Sequence, residues 1–157
     1  MRTFLALIGL LFSLPAGAAD DSGRAKIIDG DTIEISGQRI DLYGIDAPEL
    51  KQLCRTGRHG KAFECGIRAA RALRDLIGRE EIACRRVGPE KAVPPAAKCA
   101  IGRIDLNEQM VLQGWALAAR QASSDYVRAE EAARRVREGL WRHTFEMPWD
   151  WRRENPE

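Results

Sequence analysis

Two short acidic stretches decide how this chain folds: Ile28-Asp29-Gly30-Asp31-Thr32 and Asp41-Leu42-Tyr43-Gly44-Ile45-Asp46-Ala47-Pro48-Glu49. Apolar and polar residues alternate at 32–36 and 39–45, and this period of two predicts strands with one buried face. Ser36-Gly37 lies between the two runs and predicts a hairpin turn. A further strand is predicted at 25–29, so the first half of the chain is rich in β-structure.

The composition bounds the class of protein. The chain has 157 residues, of which 45% are hydrophobic and 31% are charged, which suits a single packed domain. Its formal net charge is only +2. A charge this balanced excludes a protein that coats nucleic acid or membranes through its overall field, so any contact with nucleic acid has to be local.

The first residues predict a secretory signal peptide at 1–19, which leaves 20–157 as one domain. Arg2 is followed by an apolar run from Phe4 to Leu14 and by Ala16-Gly17-Ala18, a pattern that a signal peptidase cleaves. The alternative is a retained anchor, although the run falls short of the ~20 helical residues that span a bilayer. We therefore expect an exported monomer, periplasmic or secreted, with no membrane span after cleavage.

Export affects how the four cysteines are interpreted. They have no Cys-x-x-Cys spacing and no nearby histidine pair, which argues against a zinc site. Four cysteines in an oxidising compartment allow three disulfide connectivities. We favour Cys54–Cys65 with Cys84–Cys99, because each bond closes a short loop, worth ~3 kcal/mol in the chain-entropy model. Buried free thiols are the alternative.

The second half of the chain predicts helices at 66–77, 106–113 and 125–138, and strands at 81–87 and 98–104. Residues 51–65 are basic and predict a surface loop. Trp149 and Trp151 in the tail are expected to pack onto the domain. Five strands and three helices make an α+β domain and are compatible with a small closed barrel of the OB type.

The two opening motifs resemble the thermonuclease family, whose type member is staphylococcal nuclease. Later segments match the same family in order, namely Asp105-Leu106-Asn107, Gly114-Trp115-Ala116 and Gly139-Leu140-Trp141. The resemblance implies a five-stranded OB-fold barrel with three helices. It also implies calcium-dependent hydrolysis of phosphodiester bonds in DNA and RNA.

The resemblance also assigns site residues. Asp31 and Asp46 match the carboxylates that hold the metal, Ala47 matches the position whose carbonyl is a ligand, and Glu49 matches the proposed base. Calcium prefers hard oxygen ligands, and two carboxylates with one main-chain oxygen provide them. Pro48 restricts the backbone between Ala47 and Glu49.

Two positions depart from the family. Asp41 stands where the family has one phosphate-clamping arginine, and Pro94 stands where it has the other. Loss of one preorganised electrostatic donor typically costs ~10²–10³ in rate. Arg39 lies two residues before Asp41, on the same strand face and about 6.6 Å away, so it is the candidate substitute clamp. The alternative for Arg39 is a surface arginine paired with Asp41.

We therefore expect a thermonuclease-like protein that keeps an acidic pocket for calcium and binds single-stranded nucleic acid weakly, with weak or no nuclease activity. One alternative is an active, secreted, calcium-dependent nuclease. The other follows from the family, because thermonuclease-like proteins with signal peptides occur in exopolysaccharide (succinoglycan) biosynthesis. It implies a non-nucleolytic role with exopolysaccharide-assembly partners.

Overall fold

The computed structural model describes residues 20–57 and 59–156. The predicted signal peptide at 1–19 lies outside the described residues, and the division into signal peptide and domain stays a prediction.

The described residues form twelve short strands, four α-helices and one 3₁₀ helix. The strands are β1 (Asp21–Gly23), β2 (Ala25–Ile27), β3 (Thr32–Ile35), β4 (Gln38–Leu42), β5 (Ile45–Asp46), β6 (Leu53–Thr56), β7 (Ala62–Glu64), β8 (Ile82–Val87), β9 (Ala96–Ile101), β10 (Ile104–Asp105), β11 (Leu117–Ala118) and β12 (His143–Thr144). The helices are α1 (Cys65–Ile77), α2 (Leu106–Leu112), α3 (Val127–Val136), the 3₁₀ turn Gly139–Arg142 and α4 (Pro148–Glu154).

The main sheet has the strand order β1-β8-β9-β4-β3-β2, with β10 paired to β9. Its pairs are antiparallel except for β4 and β9, which run parallel because the chain between them crosses over through α1. The predicted hairpin is confirmed, since Ile35 faces Gln38 across the turn. Ser36 and Gly37 both have positive φ, 51° and 84°, as a type I′ turn requires.

Two predicted strands are interrupted by turns. The strand expected at 39–45 divides into β4 and β5 because Gly44 takes a φ of 77°. The strand expected at 98–104 likewise divides into β9 and β10 at Gly102, whose φ is 58°. An L-residue disfavours this backbone region, so the glycines fix where each strand ends.

The basic stretch that we expected to be a surface loop contains a hairpin. β6 pairs with β7, and β12 joins them in a three-stranded sheet separate from the main one. Cys54 and Phe63 face each other in this hairpin, and Cys54 points into a small second core. The single buried residue in β6 was too weak a pattern to identify a strand from sequence.

The main core lies between the seven-stranded sheet and the first three helices. Its fully buried members include Ile33 and Ile40 of the sheet, Leu73 of α1, and Leu106 and Met110 of α2. The helices occupy the positions that periodicity predicted, and α2 begins as expected, with the Glu108 N–H donating to Asp105 Oδ1 at 2.9 Å.

The tail contains a fourth helix, where we had expected three helices in the molecule. α4 begins with Pro148, a residue whose fixed φ suits the first helical position. Met147 and Trp149 pack against the second core, which is formed by Cys54, Cys65, Leu117 and Leu140. The tail therefore packs onto the domain as predicted, but as a helix that carries its own charged side chains.

The α+β class agrees with the structure, but the closed five-stranded barrel is not confirmed. The strand order within the described residues has two ends, at β1 and β2, and the remaining strands form two smaller sheets. None of the helices among these residues is long and apolar enough to cross a membrane.

Both favoured disulfides are present. Cys54 bonds to Cys65, with Cα atoms 5.6 Å apart, and links β6 to the first residue of α1. Cys84 bonds to Cys99, with Cα atoms 4.0 Å apart, at facing positions of β8 and β9. Neither bond could have been distinguished from its alternatives by cysteine count alone.

His143 generates a pH prediction. Its ring lies edge-on to Phe63, with centroids 4.8 Å apart, and burial lowers its pKa, assisted by the positive charges of Arg68 and Arg142. The unfolded chain therefore takes up this proton more readily than the folded one. We expect the free energy of unfolding to fall as the pH drops below about 6.5 through the folded pKa.

The measurement is urea denaturation from pH 7.5 to 5 for the wild type and for His143→Gln. The free energy of unfolding should fall less in His143→Gln than in the wild type over this range. The other histidine, His59, is exposed, so His59→Gln serves as the control and should retain the wild-type pH profile. Identical profiles for His143→Gln and the wild type would contradict the assignment.

Candidate functional site

The first acidic motif forms a tight turn between β2 and β3. Asp29 Oδ1 accepts the backbone N–H groups of Asp31 at 3.0 Å and Thr32 at 2.7 Å, a local pairing typical of aspartate in turns. Gly30 lies at the centre, where an added Cβ would be 2.7 Å from the Cβ atoms of Ala47 and Ala69. Only glycine lets this turn approach both the second acidic motif and α1.

Asp31 and the second acidic motif are joined directly. Asp31 Oδ2 accepts the N–H of Ala47 at 2.6 Å. Burial raises the pKa of the Asp31 carboxyl well above its usual range, the negative charges of Asp29 and Asp46 raise it further, and the Ala47 N–H opposes the shift. The structure therefore brings Asp31, Asp46 and Ala47 into one region, as the sequence predicted.

Asp46 is held by the small sheet in which β5 pairs with β11. Only 9% of Asp46 is exposed, and both of its carboxylate oxygens are bonded to one side chain. Arg152 of α4 donates from Nη1 to Oδ1 at 2.9 Å and from Nη2 to Oδ2 at 2.7 Å. This is the bidentate geometry in which an arginine binds a carboxylate most strongly.

Glu49 is bound by the same guanidinium. Its Oε1 accepts Arg152 Nη1 at 2.7 Å. The hydrogen bonds that Arg152 donates to Asp46 and Glu49 raise its pKa, so it remains charged at any physiological pH. Arg152 thus links the candidate metal carboxylate to the candidate base.

The buried Gln52 ties the Glu49 loop to the approach to α4. Gln52 Oε1 accepts the Glu49 N–H at 3.3 Å, and its Nε2 donates to the Glu146 carbonyl at 2.7 Å. On the other side, an added Cβ at Gly66, in the first turn of α1, would collide with the Glu49 carbonyl oxygen. The position of Glu49 is therefore fixed by α1 on one side and by the segment before α4 on the other.

Asp41 lies half-buried on β4, facing Thr32 across the sheet, and its Oδ1 accepts the Thr32 hydroxyl at 3.2 Å. Burial raises its pKa, and the charge of Arg39 partly opposes that shift. The structure thus places Arg39 within electrostatic reach of Asp41, but neither hydrogen bonds nor ion pairs connect their side chains among the described residues.

A cleft of about 1020 Å³ includes Asp29 and Glu49 in its lining. Glu49 and Lys51 line it from the acidic loop, Arg39 from β4, and Trp151 and Arg152 from α4. Arg39 and Glu49 are therefore brought to one cleft.

Pro94 is exposed in the loop between β8 and β9 and does not line this cleft.

The second acidic motif lies within a stretch of the chain that matches a known protein family. A family described as "Staphylococcal nuclease homologue" matches residues 39–143, about two thirds of the chain. The chain belongs to the staphylococcal nuclease family.

The chain is also similar to individual proteins over most of its length. The chain is 34% identical to the "Succinoglycan biosynthesis protein ExoI" of Rhizobium meliloti, over 87% of this chain and 73% of that protein. It is 34% identical to "Protein ParB" of Escherichia coli, over 99% of this chain and 92% of the relative. It is 33% identical to a "Micrococcal nuclease" of Shigella flexneri, over 98% and 92%.

Nucleases of the staphylococcal nuclease family depend on calcium, so the fit of a cation has to be tested here. The donor chemistry is suitable, since Asp31, Asp46 and the Ala47 carbonyl offer hard oxygens. Both oxygens of Asp46, however, are bonded to Arg152. Within residues 20–57 and 59–156, no three acidic, histidine or cysteine side chains cluster as an ion would need. The residues do not fit an ion while Arg152 holds this position.

Arg152 was missed by the sequence interpretation. It lies beyond the matched region 39–143 of the staphylococcal nuclease family, in a tail interpreted as packing alone. The available signal was Trp149-Asp150-Trp151-Arg152-Arg153 directly after Pro148, a helix start followed by basic residues. Nothing in that pattern reveals which carboxylate an arginine more than one hundred residues away will meet.

Gln52 generates a stability prediction. Leucine would fill most of the same buried space, but it cannot form hydrogen bonds. Gln52→Leu therefore leaves the Glu49 N–H and the Glu146 carbonyl without their partner. Stranded polar groups of this kind cost about 1–3 kcal/mol each. We expect Gln52→Leu to lower the free energy of unfolding by about 1–3 kcal/mol for each of these two groups. Urea denaturation measures the change.

Gln38→Leu is the matched control, because the Gln38 amide bonds a neighbouring carbonyl in an exposed position. Its effect should stay within about 0.5 kcal/mol. Equal stabilities for the two variants would show that Gln52 does not join these segments.

Proposed function

We propose that this protein is an exported member of the staphylococcal nuclease family that binds single-stranded nucleic acid at the cleft beside Glu49 and hydrolyses it weakly or not at all. The main support for the proposal comes from the two positions where the family has phosphate-clamping arginines, since neither carries an arginine in this chain. Asp41 brings a carboxylate where a phosphate clamp is expected, and Pro94 brings no charge.

The charges around the cleft support low turnover. Asp41 lies close enough to Asp29 for the two charges to interact, and Asp31 interacts with both Asp29 and Asp46. A phosphodiester approaching this group meets repulsion in place of two guanidinium groups. Each missing arginine in a phosphoryl-transfer site lowers the rate by ~10²–10⁵.

Weak binding of a strand still has a physical basis. Arg39 and Lys51 line the cleft, and their charged groups have no hydrogen bond or ion pair within the described part of the chain. Trp151 offers an aromatic face in the same cleft, and stacking on such a face is worth about 1–3 kcal/mol per base in single-strand binders. Arg39 would serve as the substitute clamp and Glu49 as the group that orients the attacking water.

Other parts of the proposal rest on the family and on the sequence. Calcium is the proposed cofactor, and Asp31, Asp46 and the Ala47 carbonyl would hold it only after Arg152 has left Asp46. A closed OB-type barrel and a monomeric state are the proposed architecture. Export to the periplasm or beyond the cell is proposed from residues 1–19, and two disulfides are consistent with an oxidising compartment.

The test is cleavage of single-stranded DNA by the purified protein with calcium and with a chelator. We expect slow or undetectable calcium-dependent cleavage by the wild type. Asp41→Arg should restore a guanidinium at the family position and raise the rate, on the order of 10²-fold.

Asp41→Asn is the matched control, because it removes the negative charge without supplying a guanidinium, and it should gain much less. Rapid calcium-dependent cleavage by the wild type would contradict the proposal and favour a working nuclease that uses Arg39. A rate unchanged in Asp41→Arg, with the fold intact by circular dichroism, would show that the missing arginine is not what limits turnover.

A second candidate function is an accessory role in exopolysaccharide biosynthesis. The observation that favours it is the 34% identity to the succinoglycan biosynthesis protein, which extends over 87% of this chain. In a deletion strain of the source organism, we expect reduced exopolysaccharide that a copy carrying Glu49→Gln restores as fully as the wild-type copy. Normal polymer in the deletion strain would exclude this role, and failure of Glu49→Gln alone would tie the role to hydrolysis.

A further inference from the structure

Arg152 occupies the side of Asp46 that a cation would need. Its guanidinium makes three hydrogen bonds to two carboxylates, taking both oxygens of Asp46 and one oxygen of Glu49. A guanidinium has five N–H donors, so three are used here and two are left. The side chain is 46% exposed, whereas that of Asp46 is 12% exposed, so the arginine covers the carboxylate from the solvent side.

The carboxylates around Arg152 outnumber it. Five acidic residues of this region interact electrostatically with one another or accept a hydrogen bond from Arg152. They are Asp29, Asp31, Asp41, Asp46 and Glu49. Within the part of the chain that the structure describes, Arg152 is the one residue that forms an ion pair with any of them. The region is short of positive charge, and a single guanidinium neutralises only part of it.

The two ends of α4 are fixed in different ways. Its first turn is anchored, because Pro148 is buried, Trp149 packs on the second core and Gln52 holds the Glu146 carbonyl. Its last turn borders the cleft through Trp151 and Arg152, and the following residues are exposed. The anchored first turn presents Arg152 to Asp46, while the ion pair itself fixes the last turn.

We propose that Arg152 controls how tightly this site binds a divalent cation, because its guanidinium and the cation compete for the carboxylates of Asp46 and Glu49. A divalent cation bound at Asp46 would lie beside a positive group already bonded to the same oxygens, so each disfavours the other. By linkage, Arg152 lowers the affinity of the site for the cation, and the cation frees Arg152 together with the last turn of α4. The inference concerns the site of the proposed function, but it does not require turnover.

The experiment is a calorimetric titration of the purified protein with CaCl₂. Arg152→Gln removes the competitor, and we expect it to bind calcium at least tenfold more tightly than the wild type. Arg153→Gln is the matched control, because it removes the same charge from the next position of α4. Arg153 is 74% exposed and pairs with Asp150, so its loss should leave the calcium affinity at the wild-type value.

Two further variants locate the effect. Adding Asp46→Asn to Arg152→Gln should abolish the gain, because it removes the carboxylate for which the two cations compete. Arg152→Lys keeps the charge but loses the bidentate geometry, so its calcium affinity should lie between those of Arg152→Gln and the wild type.

An equal or weaker calcium affinity in folded Arg152→Gln overturns the inference, and so does an equal gain in Arg153→Gln. If Arg152→Gln does not fold, Arg152→Lys decides, and an affinity at or below the wild-type value overturns the inference. The outcome is separable from that of the proposed function, since the DNA-cleavage assay reports turnover and the titration reports only cation binding.

Discussion

Carboxylates crowd the ends of β3 and β5, and the energy of bringing them together has to be offset by positive charge or by protonation. The pKa of Asp31 rises because the carboxyl is buried among like charges. Asp46 is instead neutralised by Arg152, which bonds both of its oxygens. Removing Arg152 would leave the Asp46 carboxylate, whose side chain is only 12% exposed, without a charge partner, and an unpaired charge in such a position is costly. The C-terminal helix is therefore part of this site and not an appendage to the fold.

Local chemistry made much of the fold predictable. The hairpin at Ser36-Gly37 requires positive φ at two neighbouring residues, which few sequences allow, and α2 was marked by Asp105 with Glu108. β6 and β7 were not predicted, since β6 has only one buried residue and the second core that it joins is built from distant parts of the chain. The acidic half of the site was predictable from the resemblance of two short motifs to a known family. Arg152 was not, because its partner is 106 residues away.

A guanidinium resembles a bound cation in charge but differs from one in chemistry. It offers one delocalised charge and directional N–H donors, which suit a carboxylate in one plane. Calcium carries two charges, gathers six to eight oxygens and tolerates irregular geometry. Arg152 can therefore relieve repulsion between Asp46 and Glu49 without drawing in a water molecule or a phosphate oxygen. A site closed in this way keeps its shape at low cation concentration.

The same contacts couple the acidic loop to the second core. Gln52 bonds Glu49 on one side and the segment before α4 on the other, and it is two residues from the disulfide-bonded Cys54. Release of Arg152 would remove the contact at the last turn of α4 while leaving its first turn packed on the second core. Motion is thus confined to the wall of the cleft that carries Trp151. Because Gln52 and the second core hold the first turn, we expect the structural response to a change in charge at Asp46 in this wall of the cleft.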